Sequence, residues 1–119
     1  MQIFYSSNKL KKEFENGRKL QQGRGQEVGS KIQTRLAQLD AATCLEDVRY
    51  LPGKYHPLKE DKLGWLACSL TANERLIFEP VFPEGSTPPV PDDWDWTTIK
   101  AVKILGVLDY HEKKNSKPK

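Results

Sequence analysis

The chain has few of the residues that build disulfide frameworks or metal centres. Its 119 residues include two cysteines and two histidines. Cys44 and Cys68 cannot make a disulfide framework, and no Cys/His set has the spacing of a zinc site. Cys68 lies in an apolar strand pattern and is expected to be a buried small hydrophobe. We therefore expect no bound metal and no cofactor.

Long apolar runs are also absent. The first twelve residues, MQIFYSSNKLKK, lack the apolar centre of a signal peptide, and no run approaches the roughly 20 apolar residues that span a bilayer. With 37% hydrophobic and 29% charged residues, the composition is that of a folded domain rather than a disordered segment. These absences predict a soluble, cytoplasmic protein with no membrane partner.

Charge is unevenly distributed, although its net value is only +3. Residues 1–35 carry eight basic and three acidic residues, whereas residues 79–97 carry five acidic residues and no basic one. Residues 112–119 are again basic. Basic ends can present a positive face to a polyanion. The same pattern is typical of ordinary solvated helix surfaces, so charge alone leaves both interpretations open.

The first half of the chain is predicted to be mainly helical. Residues 2–5 are expected to form a short strand, followed by a short basic helix that ends at Gly17. Residues 18–26 are rich in glycine, glutamine and arginine and are predicted to form a turn. Apolar residues spaced three and four apart then predict an amphipathic helix from about Glu27 to Ala42.

The second half has the period of β-strands. Residues alternate from 64 to 71, with Leu66, Cys68 and Leu70 on one face. Residues 82–97 contain four prolines and are predicted to form an exposed acidic loop. Four strands are predicted in this half, over residues 55–59, 64–71, 75–81 and 98–110.

Helices followed by hairpin-connected strands predict an α+β domain. Two amino-terminal helices are expected to pack on one face of a twisted antiparallel sheet, which leaves the other face free to hold a site. We expect residues 1–111 to form a single domain, with residues 82–97 as a loop insertion and residues 112–119 as a basic tail.

Both histidines lie beside predicted turns, where side chains can meet a substrate. RNA cleavage by attack of a 2′-hydroxyl needs a base for the hydroxyl proton, cations for the developing phosphorane charge and an acid for the leaving 5′-oxygen. Histidine suits proton transfer near neutral pH. These needs can be met without a metal by six side chains: His56, Lys59, Arg75, Asp109, Tyr110 and His111.

Each of these side chains also has an ordinary structural interpretation. A single histidine at a strand end is commonly a surface or packing residue. Arg75 could pair with Glu74 or Glu79, and Lys59 and Lys62 could simply increase solubility. The residue types alone therefore do not decide between a site and a surface.

Four motifs in order resemble the HigB branch of the RelE/ParE toxin superfamily. Residues 55–59, YHPLK, are similar to the family's LHPLKG segment, and residues 61–64, DKLG, are similar to its DRxG turn. Residues 73–79, NERLIFE, are similar to its NxRIxFE strand, and residues 109–111 match its terminal DYH. The resemblance covers roughly residues 27–111 and fits the helical half more loosely.

The resemblance implies a RelE-like fold and the toxin of a type II toxin–antitoxin pair. Such a toxin cleaves mRNA as an endoribonuclease, typically in the ribosomal A site. The implied partner is a HigA-like antitoxin with a helix-turn-helix domain, and operator DNA is contacted only through that antitoxin. Within the same superfamily, ParE-like toxins poison DNA gyrase instead. A non-catalytic binding module of the same fold is a further alternative, and the two histidines argue against both.

The family's catalytic positions fall on His56, Asp109, Tyr110 and His111. The resemblance implies His111 or Asp109 as general base and His56 as leaving-group acid or phosphate donor, with Tyr110 stacking on a base or orienting the ribose. The implied phosphate-binding residues are Lys59, Arg75 and Lys62. Residues expected to contact rRNA phosphates, in a salt-dependent manner, are Lys9, Lys11, Lys12, Lys31, Arg35, Lys113 and Lys114.

Three departures from the family pattern matter. Lys62 stands at the arginine of the DRxG turn, and lysine keeps the charge but loses bidentate geometry toward phosphate. Glu60 stands at the glycine of LHPLKG and brings a negative charge near the expected site. The loop at residues 82–97 is longer than the hairpin of the shortest members and is either an inert insertion or a contact surface for the antitoxin or ribosome.

Overall fold

The computed structural model describes residues 1–110 and 117–119, and within them the chain forms five strands and three α-helices. The strands are β1 (Gln2–Tyr5), β2 (His56–Pro57), β3 (Leu66–Ser69), β4 (Glu74–Pro80) and β5 (Ala101–Asp109). The helices are α1 (Asn8–Phe14), α2 (Gly17–Arg24) and α3 (Gln26–Ala41). The predicted site residues His111, Lys113 and Lys114 lie outside the described residues.

The five strands form one sheet in the order β1-β5-β4-β3-β2. β2, β3, β4 and β5 pair with their neighbours in antiparallel fashion, as predicted. β1 pairs with β5 in parallel, with Gln2 opposite Ala101 and Tyr5 opposite Ile104. The predicted α+β fold is confirmed, with a sheet that is mostly antiparallel. A parallel pair needs a long crossover, and here the three helices and the β2–β4 meander supply it.

The segment that the sequence predicts as a turn is helix α2, and the helical layer therefore has three helices rather than two. Gly17 begins this helix instead of ending α1. The side-chain Oδ1 of Asn16 caps it by accepting a hydrogen bond from the Lys19 amide at 3.1 Å. Leu20 is fully buried against the core, and its burial holds α2 on the domain.

Alternate residues of the strands face opposite sides of the sheet, as the period of two predicts. The helix-bearing face carries the large core, which joins the sheet to all three helices. Its strand residues include Leu66, Cys68, Leu76, Phe78, Val102 and Ile104. The helix-free face carries a smaller cluster of Ala67, Ile77 and Leu108, with Leu58, Trp65 and Leu105 packed beside it.

The proline-rich segment at residues 82–97 is a loop with a single short 3-10 turn at Pro91–Asp93. Trp96 attaches the loop to the domain, since it is buried beneath the Arg49 guanidinium, whose carbon lies 3.9 Å from the ring centroid. Phe82 and Trp94, whose rings are 6.4 Å apart within the loop, also pack against the core. No helix in the described part of the chain is long and apolar enough to cross a membrane.

Candidate functional site

Strand register places His56 and Arg75 on the helix-free face. His56 pairs with Ala67 of the helix-free cluster, and directly paired residues point to the same side of a sheet. Arg75 lies two residues before Ile77 on β4 and so shares its face. Tyr110 follows the end of β5, where its amide donates a hydrogen bond to the Asn73 carbonyl at 2.9 Å.

Arg75 is fixed by the hairpin between β3 and β4. Its Nη1 donates hydrogen bonds to the carbonyl oxygens of Thr71 at 2.7 Å, Glu74 at 3.0 Å and Ala72 at 3.3 Å. Its guanidinium carbon lies 5.0 Å from the centroid of the half-exposed Tyr110 ring. Nε and Nη2 have no hydrogen-bond partner within residues 1–110 and 117–119, so they remain as donors for an anion.

His56 is exposed, and one of its ring nitrogens is already engaged. Nδ1 lies 2.7 Å from the carbonyl oxygen of Lys54. A carbonyl oxygen can only accept, so Nδ1 carries the proton and Nε2 of the neutral ring is an acceptor. The described residues offer no hydrogen-bond partner to Nε2. The ring is therefore arranged to take a proton at Nε2.

His56 and Arg75 lie on the same face, two strands apart and offset by two residues along β4, which corresponds to about 12 Å between their Cα atoms. The guanidinium of Arg75 is held at the 71–74 hairpin. Tyr110 lies beyond Arg75 at the end of β5. The structure thus brings together Arg75 and Tyr110 in contact, with His56 facing them across the helix-free cluster.

Asp109 has a different position from its two expected partners. It pairs with Glu74 in the register, and both lie on strand positions that face the helix-bearing side of the sheet. Arg75 and Tyr110, the next residues along each strand, lie on the other side. The structure therefore does not bring Asp109 together with His56 and Arg75.

Lys59 and Lys62 flank the short 3-10 turn that follows β2. Lys59 is exposed beside the outer edge of the sheet. The Nζ of Lys62 lies 3.5 Å from Oδ2 of its neighbour Asp61, and the side chain is only about one-fifth exposed. Lys59 is the more accessible of the two ammonium groups.

The described lysines that are expected to contact rRNA are exposed and lie on two helices of the helical layer. They are Lys9, Lys11 and Lys12 on α1 and Lys31 on α3. Arg35 differs from them and corrects its predicted surface role. It is only 6% exposed, and its Nε donates to the Ser69 carbonyl at 2.8 Å, so its guanidinium is not accessible to an RNA phosphate.

Two further ionisable groups lie behind the site, on the helix-bearing side. Burial raises the pKa of the Cys68 thiol to about 12, although the nearby Arg35 opposes the shift. Burial, with a smaller contribution from Cys68, raises the pKa of the Tyr55 hydroxyl well above its ordinary value. Both groups stay protonated near neutral pH. Within the described residues, no cluster of three or more histidine, cysteine or acidic side chains could hold a metal ion.

Comparison with known proteins finds solved structures that are similar to this chain. No family model matches the chain, and no curated protein matches it. A solved structure described as a YoeB/ParE toxin from Agrobacterium tumefaciens is similar over 92% of this chain and 98% of that chain. The two chains are 14% identical in sequence, and the TM-score is 0.49.

Sequence reasoning missed two features beside His56. Trp65, which the sequence analysis did not assign to a site, packs against the helix-free cluster that contains Ala67, the strand partner of His56. Its alternation with Leu66 was the available signal. The second feature is the contact between helix α3 and the segment before His56, which involves Gln38 and Tyr55. No local pattern signals that contact, because its partners are distant in sequence.

Proposed function

We propose that this chain is the toxin of a toxin–antitoxin pair and an endoribonuclease that cleaves mRNA without a metal. One observation carries the proposal. The guanidinium of Arg75, fixed by three carbonyl oxygens, lies against Tyr110 on the same face of the sheet as the acceptor nitrogen of His56. RNA cleavage requires a base, a phosphate-binding cation and an acid, and these residues are proposed as the base and the cation, with a ring on which a nucleobase can stack.

The reaction begins when Nε2 of His56 takes the proton of a ribose 2′-hydroxyl. The 2′-oxygen then attacks the adjacent phosphorus, the bond to the 5′-oxygen breaks, and that oxygen receives a proton from an acid. The products are a 2′,3′-cyclic phosphate and a 5′-hydroxyl. His111 is the acid in this scheme, by its place in the terminal Asp-Tyr-His motif. This assignment reverses the roles expected from the family resemblance, and it makes His56 the base because its Nδ1 proton is held by the Lys54 carbonyl and Nε2 is an acceptor.

Charge and stacking complete the proposed site. The free donors of Arg75, with Lys59 at the sheet edge, bind the non-bridging phosphate oxygens as negative charge develops. Lys62 adds a weaker, Asp61-paired charge. Tyr110 carries Arg75 on one side of its ring and offers the other to a nucleobase. Asp109 supports the strand end rather than the reacting atoms.

The proposed partners are a HigA-like helix-turn-helix antitoxin and the translating ribosome. Lys9, Lys11, Lys12 and Lys31 are exposed on helices α1 and α3 and are the proposed contacts with rRNA phosphates. These contacts would weaken as salt increases. Lys113 and Lys114 extend this basic set in the proposal.

The proposal is tested by inducing the chain in bacterial cells and mapping the 5′ ends of mRNA. New ends within translated codons are expected for the wild type and for Arg18→Leu, which removes an exposed arginine on α2. Arg75→Leu should remove both the new ends and the growth arrest. Growth arrest with intact mRNA and altered DNA supercoiling would instead favour a ParE-like gyrase poison. Absence of any growth effect would favour a binding module.

A further inference from the structure

Arg35 is a buried cation with unusual partners. Its guanidinium donates to the carbonyl oxygens of Ser69 at 2.8 Å and Pro52 at 3.1 Å, and to the side-chain oxygen of Gln38 at 3.3 Å. Within the described residues no carboxylate contacts it. Burying a charge among neutral acceptors costs stability, and apolar side chains would fill the same space at lower cost. The contacts of Arg35 therefore indicate a role in placing the groups it binds.

Gln38 extends the same network toward His56. Its amide nitrogen donates to the Pro52 carbonyl at 3.0 Å, and its amide oxygen accepts from the Tyr55 hydroxyl at 2.7 Å. Tyr55 is buried with its ring edge against Phe78. Residues 52–55 are thus held at both ends by one turn of α3.

The backbone of this segment needs such support. Gly53 has φ of +128°, and a Cβ at this position would lie 2.9 Å from Nε of Arg35, so only glycine allows the guanidinium to pack against the chain. Lys54 has φ of +52°, which is uncommon for a residue with a side chain. That conformation presents the Lys54 carbonyl to Nδ1 of His56.

Strand pairing alone cannot hold His56 in place. β2 consists only of His56 and Pro57, and proline has no N–H to donate to the ladder. The amide of Ser69 adds a hydrogen bond to the Gly53 carbonyl at 2.7 Å. On the other side of His56, the Leu58 amide donates to the Trp65 carbonyl at 2.8 Å. The segment before His56 is also held by the Tyr55 ring against Phe78 and by hydrogen bonds from Arg35 and Gln38 on the opposite side of the sheet.

We infer that Arg35 and Gln38 are positioning residues for His56. They hold residues 52–55 in the conformation that presents the Lys54 carbonyl to the ring, and this carbonyl keeps the proton on Nδ1 and leaves Nε2 as the base. The effect on the tautomer of the His56 ring does not depend on any activity, whereas the effect on catalysis rests on the proposed endoribonuclease activity.

The test compares Gln38→Leu and Tyr55→Phe with the wild-type protein. Gln33→Leu is the matched control, because it makes the same change on the same helix at a side chain whose amide oxygen accepts from Gln21. The tautomer of His56 is read from its ring ¹⁵N shifts, assigned with His56→Gln. Cleavage of ribosome-bound mRNA gives kcat and KM separately.

In the wild type and in Gln33→Leu, the Nδ1–H tautomer should dominate. In Gln38→Leu the two tautomers should become mixed, and kcat should fall about 10- to 100-fold with KM nearly unchanged, since misplacing a base affects the chemical step. Tyr55→Phe should shift both readouts in the same direction by a smaller amount.

The outcomes separate the two hypotheses. If Gln38→Leu folds and keeps both the tautomer and kcat of the wild type, or if Gln33→Leu changes them equally, the positioning role is wrong. If the wild type shows the Nδ1–H tautomer and Gln38→Leu loses it, but no variant cleaves RNA, the positioning role stands and the proposed activity is wrong.

Discussion

The helix-bearing and helix-free faces of the sheet are built from alternate residues of the same strands, yet they serve different purposes. On β4, the side chain of Phe78 packs in the large core between sheet and helices, whereas the side chains of Arg75 and Ile77 lie on the helix-free face. The helix-bearing face carries the large apolar core, with the buried Arg35 beside it and Glu74 and Asp109 at the strand ends. The other face surrounds a small apolar cluster with His56, Arg75 and Tyr110. Substitutions at neighbouring residues of one strand are therefore expected to have different effects, mainly on stability at the helix-bearing face and mainly on activity at the helix-free face.

The largest expected effect is on stability and belongs to the helix-bearing face. Phe78→Ala removes a fully buried ring that touches Tyr55, and should lower the free energy of unfolding by about 3–5 kcal/mol. Tyr110→Ala, at a half-exposed position, should change it by about 0.5 kcal/mol or less. Urea unfolding monitored by circular dichroism measures both. Equal losses would mean that the two faces do not differ as described.

The next effect is on activity and belongs to the helix-free face. Arg75→Lys keeps the charge but loses the planar fork, and three carbonyl oxygens no longer orient it, so cleavage should fall about 100-fold. The folded state should persist. Single-turnover cleavage of ribosome-bound mRNA measures the loss, with Arg18→Lys on the helical layer as the control. Full activity in Arg75→Lys would remove Arg75 from the proposed site.

The two cysteines should differ in their reactivity toward a thiol reagent, because one lies in the core of the helix-bearing face and the other in a loop. Cys68 is fully buried on the helix-bearing face, with its pKa raised from 9.0 to about 12, whereas Cys44 is half-buried in a loop. At pH 8 a thiol reagent should modify Cys44 in the native protein and Cys68 only after unfolding, because the thiolate is the reactive form. Reaction of both in the native state would show that the core is open to solvent.

The same thiol should make stability depend on alkaline pH. A group whose pKa is higher in the folded state stabilises the protein below its unfolded pKa, and that contribution is lost as pH rises. The free energy of unfolding should therefore decline between about pH 9 and pH 12, and less so in Cys68→Val. Urea titrations at several pH values test this, and identical slopes for both proteins would contradict it.

The smallest expected effect concerns the helical layer itself. Asn16→Ala removes the cap of α2 and should lower the free energy of unfolding by about 1 kcal/mol. Asn73→Ala, in the exposed β3–β4 turn, serves as a control on the site side of the molecule. If the two substitutions were equally neutral, α2 would not depend on its cap and Leu20 alone would hold it.

Helix α2 is an example of a structural feature that could not be predicted from the sequence. Strand alternation from residue 64 to residue 71 was predicted correctly because a period of two is a local property of the chain. Helix α2 was missed because Gly17 and Gly23 favour a turn, while packing of Leu20 and a cap decide otherwise. The parallel pairing of β1 with β5 joins segments far apart in sequence, and no short-range pattern announces it.

The candidate site shows the same division. The face of Arg75 followed from its position in a strand, and the motif order had already grouped it with His56 and Tyr110. The burial of Arg35 could not be foreseen, because its partners are backbone carbonyls at residues 52 and 69, and carbonyls are not specified by residue type. For Asp109 the motif was misleading, because neighbouring residues of a strand point to opposite faces and Asp109 therefore lies on the other face from Tyr110.

The position of β5 in the sheet also has a consequence for the order of synthesis. β5 lies between β1 and β4, and Gln2 finds its partner only when residue 101 has been made. Pairing over such a sequence separation is slow, because the intervening chain must first be brought together. We therefore expect the five-stranded sheet to be completed only after β5 has left the ribosome, although β2, β3 and β4 can pair earlier. A protein proposed to attack translating ribosomes would thus be harmless to the ribosome that makes it.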